Sequence, residues 1–478
     1  MNSMLALAAA VGAAVSASVA GPLGSGRVTA ITNANIVSMD GDGVLEDHTV
    51  LLREGKIAAV GPSDLVVPPD GAQVIDADGL WMIPGLSDMH VHWNGPHYGR
   101  VLVGHGVTNA RNLWGFPGHI ELREKALAAP DLDDPLPSLT TAGPIVDGDP
   151  PVWPGSTGVA DTEAARAAVR EQVAAGYDFI KVYSRLSREA FLAITDECAA
   201  LGVRFGGHVP QSVSLEEALD AGMWSIEHLT EYQPALQGPG SPLNQMDDSE
   251  RRRLNYWQHG VLLAAGVDDA MMAEVGRMTV ASGVWNVPTL IVNRRLSASP
   301  ETKAELMGAE PMRYISPGVR SFWDPSNDFR LQNVDPADLK RAEENFGVYL
   351  RIVRGLHEAG VEFVAGSDTP NPFVFPGYSL HEELELLVEA GLSPYQAIRA
   401  ATVNPSRMLK QKGEFGRVGP GHRGDLVLLR RNPLEDITAT REIEGVVLRG
   451  EHFDRAALDA MLDRAAEMAA TAQMPGGN

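Results

Sequence analysis

Residues 86–92 read Leu86-Ser87-Asp88-Met89-His90-Val91-His92, directly after Pro84-Gly85. Their length and apolar content suit a short strand. Residues i and i+2 of a strand point the same way, so His90 and His92 project together from its end. Two imidazoles at this spacing can share one divalent cation. Chance His-x-His pairs are common, so the rest of the chain has to decide.

The same texture recurs outward from this stretch. Further strands are expected at Val107–Asn112, Ser138–Ala142, Phe179–Tyr183, Phe205–His208, Ser225–His228, Trp285–Thr289 and Phe363–Asp368. Amphipathic, Ala-rich helices are expected at Thr162–Ala175, Arg188–Leu201, Leu215–Ala221 and Asp335–Ala359. Eight strands, each with room for a following helix, predict an α/β fold: a (β/α)8 TIM barrel over residues 85–415. A doubly wound sheet is the alternative, but no Gly-rich phosphate fingerprint follows an early strand. Two stretches, 232–265 and 291–335, exceed ordinary loops of about 4–6 residues. The second holds Tyr314, Phe322 and Trp323 and reads as a lid or as a scaffold insertion.

Strand ends of such a barrel face the mouth where active sites lie. His208, His228 and Asp368 each close an apolar run. Lys181 lies inside another, Asp178-Phe179-Ile180-Lys181-Val182. Lys181 reads in two ways: a lysine snorkelling at a strand end, or one carboxylated by CO2 into an anionic oxygen ligand that can bridge two cations. With His90 and His92 this makes six candidate ligands at one mouth.

β-like segments flank the barrel at both ends, from Val28–Ile31 to Lys56–Gly61 and again at Asp425–Leu429 and Gly445–Gly450. Residues 26–84 and 416–455 are therefore expected to form one small composite β-sandwich, followed by a C-terminal helix and tail over 456–478. Met4–Ala20 is apolar and ends in the small-x-small triplet Ser18-Val19-Ala20. Residues 1–25 thus read as an export signal of a periplasmic or secreted protein, with no membrane span in the mature chain. They lack a basic start, so the alternative is an extension on a cytoplasmic one. The 39 Lys+Arg against 62 Asp+Glu, a net charge of -23, speak against nucleic acid and anionic lipid. The single cysteine, Cys198, excludes a disulfide framework and Cys-rich metal sites, and its Ala-rich helical context reads as core. No Gly-x-Ser-x-Gly elbow is present.

The motifs Pro84-Gly85-Leu86-Ser87-Asp88-Met89-His90-Val91-His92, Ile180-Lys181-Val182, Gly207-His208-Val209-Pro210, Ile226-Glu227-His228 and Gly366-Ser367-Asp368 occur in this order. Carrying them, the chain resembles the metal-dependent amidohydrolase superfamily over about residues 27–450. Within it, the chain looks most like the branch of imidazolonepropionase-like amidohydrolases and Xaa-Pro dipeptidases (prolidases). The resemblance implies two divalent metal ions, with Zn2+ the best match to imidazole and carboxylate ligands. His90, His92 and Asp368 would hold the more buried ion, and His208 and His228 the more exposed one. Lys181, as N6-carboxylysine, would bridge them. A hydroxide between the ions would attack an amide-type carbonyl, with Asp368 as general base and then acid.

The expected substrate is a small amide, either a dipeptide such as Xaa-Pro or an N-acyl amino acid. The alternatives are a cyclic amide, as for imidazolonepropionase, a carbamate or ester on the same metals, or a non-catalytic small-molecule-binding protein. A homo-oligomer is expected. Substrate-contact candidates are Tyr183, two past Lys181, Tyr232, four past His228, and His97 with Arg100 after the first strand; each also reads as a packed or solvated residue. Arg111 reads as a partner for a substrate carboxylate or for a structural acid. Asp88 reads as support for the ligands. Some relatives carry Gly-Gly-His after the third barrel strand, whereas residues 143–154 here contain no histidine, so substrate specificity does not transfer. Trp153, in that stretch, is a candidate lining of an aromatic pocket.

Overall fold

Strands from both chain ends meet in one sheet. A computed structural model describes residues 27–128, 130–247, 250, 253–254, 256–327 and 334–472. The export-signal reading of residues 1–25 lies outside these residues, as does the end of the expected tail. β1 (Val28–Val37), β2 (Val44–Arg53), β3 (Lys56–Pro62), β4 (Gln73–Asp76) and β5 (Trp81–Pro84) come from the first flank. The middle of the chain contributes β6 (Leu86–Val91), β7 (Val107–Asn112), β8 (Ser138–Thr141), β9 (Val146–Gly148), β10 (Thr157–Val159), β11 (Phe179–Val182), β12 (Arg204–Gly207), β13 (Ser225–Glu227) and β14 (Trp285–Val287). β15 (Leu426–Leu429), β16 (Ile443–Leu448) and β17 (Glu451–Asp454) come from the last flank.

The flanking strands run in the order β17-β16-β15-β5-β1-β2-β3, with β4 also on β1. The path is one continuous hydrogen-bonded sheet curled around a filling that includes Ile31, Val50, Met82, Leu426 and Val447. A further bridge, Lys56 to Arg423, ties the β3 side back to the residues before β15. Alternating apolar residues supply this filling, as a half-buried strand requires.

The barrel staves follow one another around a ring. β6, β7 and β8 pair in parallel. A bridge from Ala142 to Phe179 leads to β11, which is followed in parallel by β12, β13 and β14. Asn286 of β14 bridges Phe363, and Thr369 at the far end of that segment bridges Val91 of β6. Residues 363–369 thus act as the eighth stave, held by isolated bridges instead of a regular ladder. Part of its backbone bonding goes elsewhere: Ala365 N–H donates to Ala400 O at 2.8 Å, while Met89 N–H donates to Ala365 O at 2.9 Å. Helices Thr162–Ala175 and Arg188–Leu201 stand where expected, each opened by a side-chain cap (Asp161, Ser187) and closed by a left-handed glycine (Gly176, Gly202). Cys198 is buried in the second of them.

One expectation is corrected. The single helix expected over 335–359 is two, Pro336–Glu344 and Gly347–Glu358. Phe346 and Val348 N–H turn to the tighter acceptors Glu343 O and Asn345 O, just where Gly347 weakens helix propagation. Much of the two long stretches is helical. Within 291–335, Ser299-Pro300, Ser316-Pro317 and Asp335-Pro336 each start a helix, a Pro-at-first-turn signal. Trp323 is buried with Phe373 and Phe375, and Tyr314 with Leu462 of the C-terminal helix Arg455–Thr471, so these two side chains belong to packed scaffold, while Phe322 is exposed. No helix among the described residues is long and apolar enough to cross a membrane.

Candidate metal centre

Each ligand candidate reaches the mouth because its stave ends there. His90 lies in β6 and His92 just past it. Asp368 ends the eighth stave with φ of 65°. Its Oδ1 lies 3.2 Å from His90 Nε2 and 2.9 Å from His92 Nε2, and its Oδ2 lies 3.7 Å from His228 Nε2. One ligand atom each from His90, His228 and Asp368 falls within 4.8 Å of the others. The His208 and His228 ring centroids are 4.8 Å apart. Lys181 is 1 % exposed, and its Nζ has no hydrogen-bond partner among the described residues. The structure therefore brings all six candidates to one end of the barrel.

The backbone bends to do this. His228, Leu229, Thr289 and Asp368 all have positive φ, a region costly for side chains with a Cβ and concentrated at functional sites. In a regular strand Glu227 and His228 would face opposite ways. Left-handed φ at His228 ends the strand, so both can serve the same centre. Two glycines make room. A Cβ on Gly207 would sit 2.8 Å from Lys181 Cδ, and one on Gly366 would sit 2.8 Å from His90 Cβ.

Buried partners set the imidazoles. Glu227 Oε2 accepts from His90 Nδ1–H at 2.8 Å, which leaves Nε2 of His90 as a lone pair facing Asp368. The Thr289 hydroxyl donates its one proton to Pro288 O, so it accepts from His228 Nδ1–H at 2.6 Å. Ser184 Oγ lies 2.8 Å from His208 Nδ1. Such partners fix tautomer and ring orientation at metal sites. Glu227 is held in turn by Arg111, whose Nη2 donates to Oε1 at 2.7 Å, and by Ser225 Oγ–H at 2.7 Å. Arg111 sits between the rings of Phe179 and Trp224, 5.5 and 5.2 Å from their centroids. Asp88 accepts from Ser367 N–H at 2.9 Å and Ser367 Oγ–H at 2.6 Å, clamping the eighth stave to β6, and burial pushes its carboxyl up to about 6.

Burial and the neighbours set the charges. Burial pushes the Lys181 ammonium down to about 8 and His228 down to about 3; His92 also falls, and His208 falls well below its ordinary range. Burial, the largest single influence on His90, would lower it too, but the Asp368 carboxylate and the hydrogen bond to Glu227 together outweigh it and the pKa rises. Burial alone would raise Asp368, yet the imidazoles hold it well below the usual carboxylate range. Mostly neutral imidazoles, an ionised carboxylate and an amine brought toward neutrality are the forms that cations require of their ligands.

The substrate-contact candidates separate. Tyr183 stacks on His208 at 3.9 Å between centroids, and its hydroxyl accepts from the Trp153 indole N–H at 2.9 Å. Tyr232 is a correction: it is fully buried, with its hydroxyl 3.1 Å from Thr279 on the outer helix Met272–Ser282. His97 is another. It precedes the helix Tyr98–Gly104 and its Nε2–H donates to Tyr314 O at 3.0 Å, so the packed 291–335 segment engages it. Arg100 pairs with Asp134 at 2.7 Å. Arg111 meets the structural acid Glu227. Sequence reasoning assigned no role to Glu227, Ser184 or Thr289; only the charge of Glu227 inside an apolar strand marked any of them.

A model of the amidohydrolase family matches residues 136–452. The chain is 36% identical over 154 residues to ochratoxinase of Aspergillus niger, covering 32% of this chain and 30% of that protein. The chain spans about a fifth to a third of the length of the curated relatives it matches. Bottromycin amidohydrolase superposes with a TM-score of 0.70 at 26% identity, covering 93% of this chain and 91% of that one. A prolidase candidate from Bifidobacterium longum superposes with a TM-score of 0.66 at 25% identity, covering 92% and 99%.

Proposed function

Because this chain belongs to the amidohydrolase family, we propose that it is a binuclear metal-dependent hydrolase that cuts an amide-type C–N bond of a small molecule, a dipeptide such as Xaa-Pro or an N-acyl amino acid. The convergence of four imidazoles, Asp368 and a buried Lys181 at one barrel end carries this reading. The donor set fits cations. Lys181 Nζ is buried without a hydrogen-bond partner among the described residues, and the His90 Nε2 lone pair faces the Asp368 carboxylate, an arrangement that is costly unless something else satisfies them.

His90, His92 and Asp368 would hold one ion, and His208 and His228 the other, with Lys181 between them as the carbamate. Zinc is the ion these ligands suit best. Bound cations supply a water of near-neutral pKa and polarise the scissile carbonyl. Asp368, which lies between His90, His92 and His228, would accept the proton of the attacking water and hand it to the leaving nitrogen. Glu227, Thr289 and Ser184 hold His90, His228 and His208 in the orientation this needs. The likeness to an amidohydrolase and to a prolidase candidate supports an amide or peptide bond as the target.

The test is elemental analysis joined to a substrate panel of Xaa-Pro dipeptides, N-acyl amino acids and cyclic amides. About two divalent ions per chain and hydrolysis abolished by chelation are expected. Fewer than one ion per chain, or turnover that survives metal removal, overturns the reading.

A further inference from the structure

The metal chemistry leaves an arc of aromatic side chains at the mouth without a role. Trp114, two residues past the end of β7, sets its ring edge-on to His92, with centroids 6.1 Å apart. Phe116 lies 5.9 Å from Trp114 and is 43% exposed. On the opposite side Tyr183 stacks on His208 and is bonded to Trp153. The two halves meet where Gly155, two past Trp153, packs with its would-be Cβ at 3.8 Å from both Trp114 and Phe116. The arc therefore runs from a ligand candidate of one ion to a ligand candidate of the other. Aromatic residues are only 6% of the chain, yet four gather here.

Two properties point to a ligand. The Trp114 Nε1–H is buried and has no acceptor among the described residues, whereas buried indole N–H groups ordinarily find one. Phe116 offers exposed ring surface beside it, and flat apolar walls with a few convergent polar groups are how small-molecule sites recognise aromatic ligands.

We propose that this arc binds a flat aromatic group flanking the scissile bond, and that the substrates are aromatic amides carrying an acceptor for the Trp114 N–H. The inference rests on the amide-hydrolase reading and narrows its substrate class.

The test compares the metal-loaded full chain on N-acetyl-L-alanine with N-benzoyl-L-alanine and N-acetyl-L-phenylalanine. At least one aromatic substrate is expected to show a kcat/KM about tenfold or more above the N-acetyl-L-alanine value. Trp114→Leu should shrink that ratio toward one, mainly through KM, and Trp114→Phe should recover part of it. Phe116→Ala, at an exposed position, gives a second reading should Trp114→Leu fail to fold. Hydrolysis of all three substrates without aromatic preference overturns the inference and leaves the amide-hydrolase reading standing, as does a preference unchanged in both variants. If none is hydrolysed, that reading loses its N-acyl amino acid branch. The arc is then judged by tryptophan fluorescence titration: tighter binding of N-benzoyl-L-alanine than N-acetyl-L-alanine, lost in Trp114→Leu, supports it, and equal binding overturns it.

Discussion

Replacing Glu227 by Gln keeps the shape of the side chain and removes one buried charge. The carboxylate is fully buried and takes hydrogen bonds from Arg111 at 2.7 Å, His90 at 2.8 Å and Ser225 at 2.7 Å. A glutamine has one acceptor oxygen for these three donors, and its amide group would face at least one of them. Arg111, itself fully buried, would keep its charge without the carboxylate that pairs with it. Breaking a buried pair in this way costs about 3–5 kcal/mol. At about 2 °C per kcal/mol for a chain larger than a small domain, the melting temperature should fall by about 6–10 °C. His90 would also lose the acceptor that presents its Nε2, and such losses weaken metal binding by about 10–100-fold. Differential scanning fluorimetry with and without added Zn2+, and competition with a zinc chelator, measure the two effects. Arg111→Met in the same chain should lower stability by less than a second full increment, because the stranded charge is then gone. A Glu227→Gln protein that melts within about 2 °C of wild type and binds metal within about threefold would refute the claim that this carboxylate holds the centre together.

Lys181→Met should fold, since methionine is nearly as long and leaves no buried amine unpaired, but lose metal and drop activity by more than about a hundredfold; elemental analysis beside circular dichroism checks this. Thr289→Val removes the acceptor for His228 Nδ1–H and should weaken metal binding about 10–100-fold, with Thr289→Ser recovering most of it in a chelator competition. Burial pushes Glu383, which accepts from Ile291 N–H at 2.8 Å, up to about 8 from 4.5. A folded-state pKa above the unfolded one means stability declines as pH rises between these values. Glu383→Gln should therefore gain on wild type from pH 5 to 8.5 in melting scans, and a constant difference would count against it.

How far the sequence could be read depended on distance along the chain. The staves at Val107–Asn112 and Phe179–Val182 announce themselves as apolar runs bounded by turns, because a stave buried on both faces needs such a run. The ligands were equally legible, since His90, His208, His228 and Asp368 stand at the ends of those runs. The break at Asn345-Phe346 was not, because tertiary packing of Pro336–Glu344 and Gly347–Glu358 overrides a helical periodicity that crosses it. Tyr232 and His97 were misplaced for a related reason. Both follow a ligand strand closely, but the side of the barrel wall they occupy is set by the packing of Met272–Ser282 and of Tyr314.

The sequence by itself determined the α/β class, the stave positions and the six ligand candidates, because strand alternation and apolar content are local properties. Closure of the barrel decided the rest. Glu227 meets His90 across 137 residues, Asp88 meets Ser367 across 279, and Thr289 meets His228 across 61. No local periodicity encodes such pairs. They exist because a closed ring of staves puts the last beside the first, and because buried imidazoles and carboxylates require partners wherever the ring brings them.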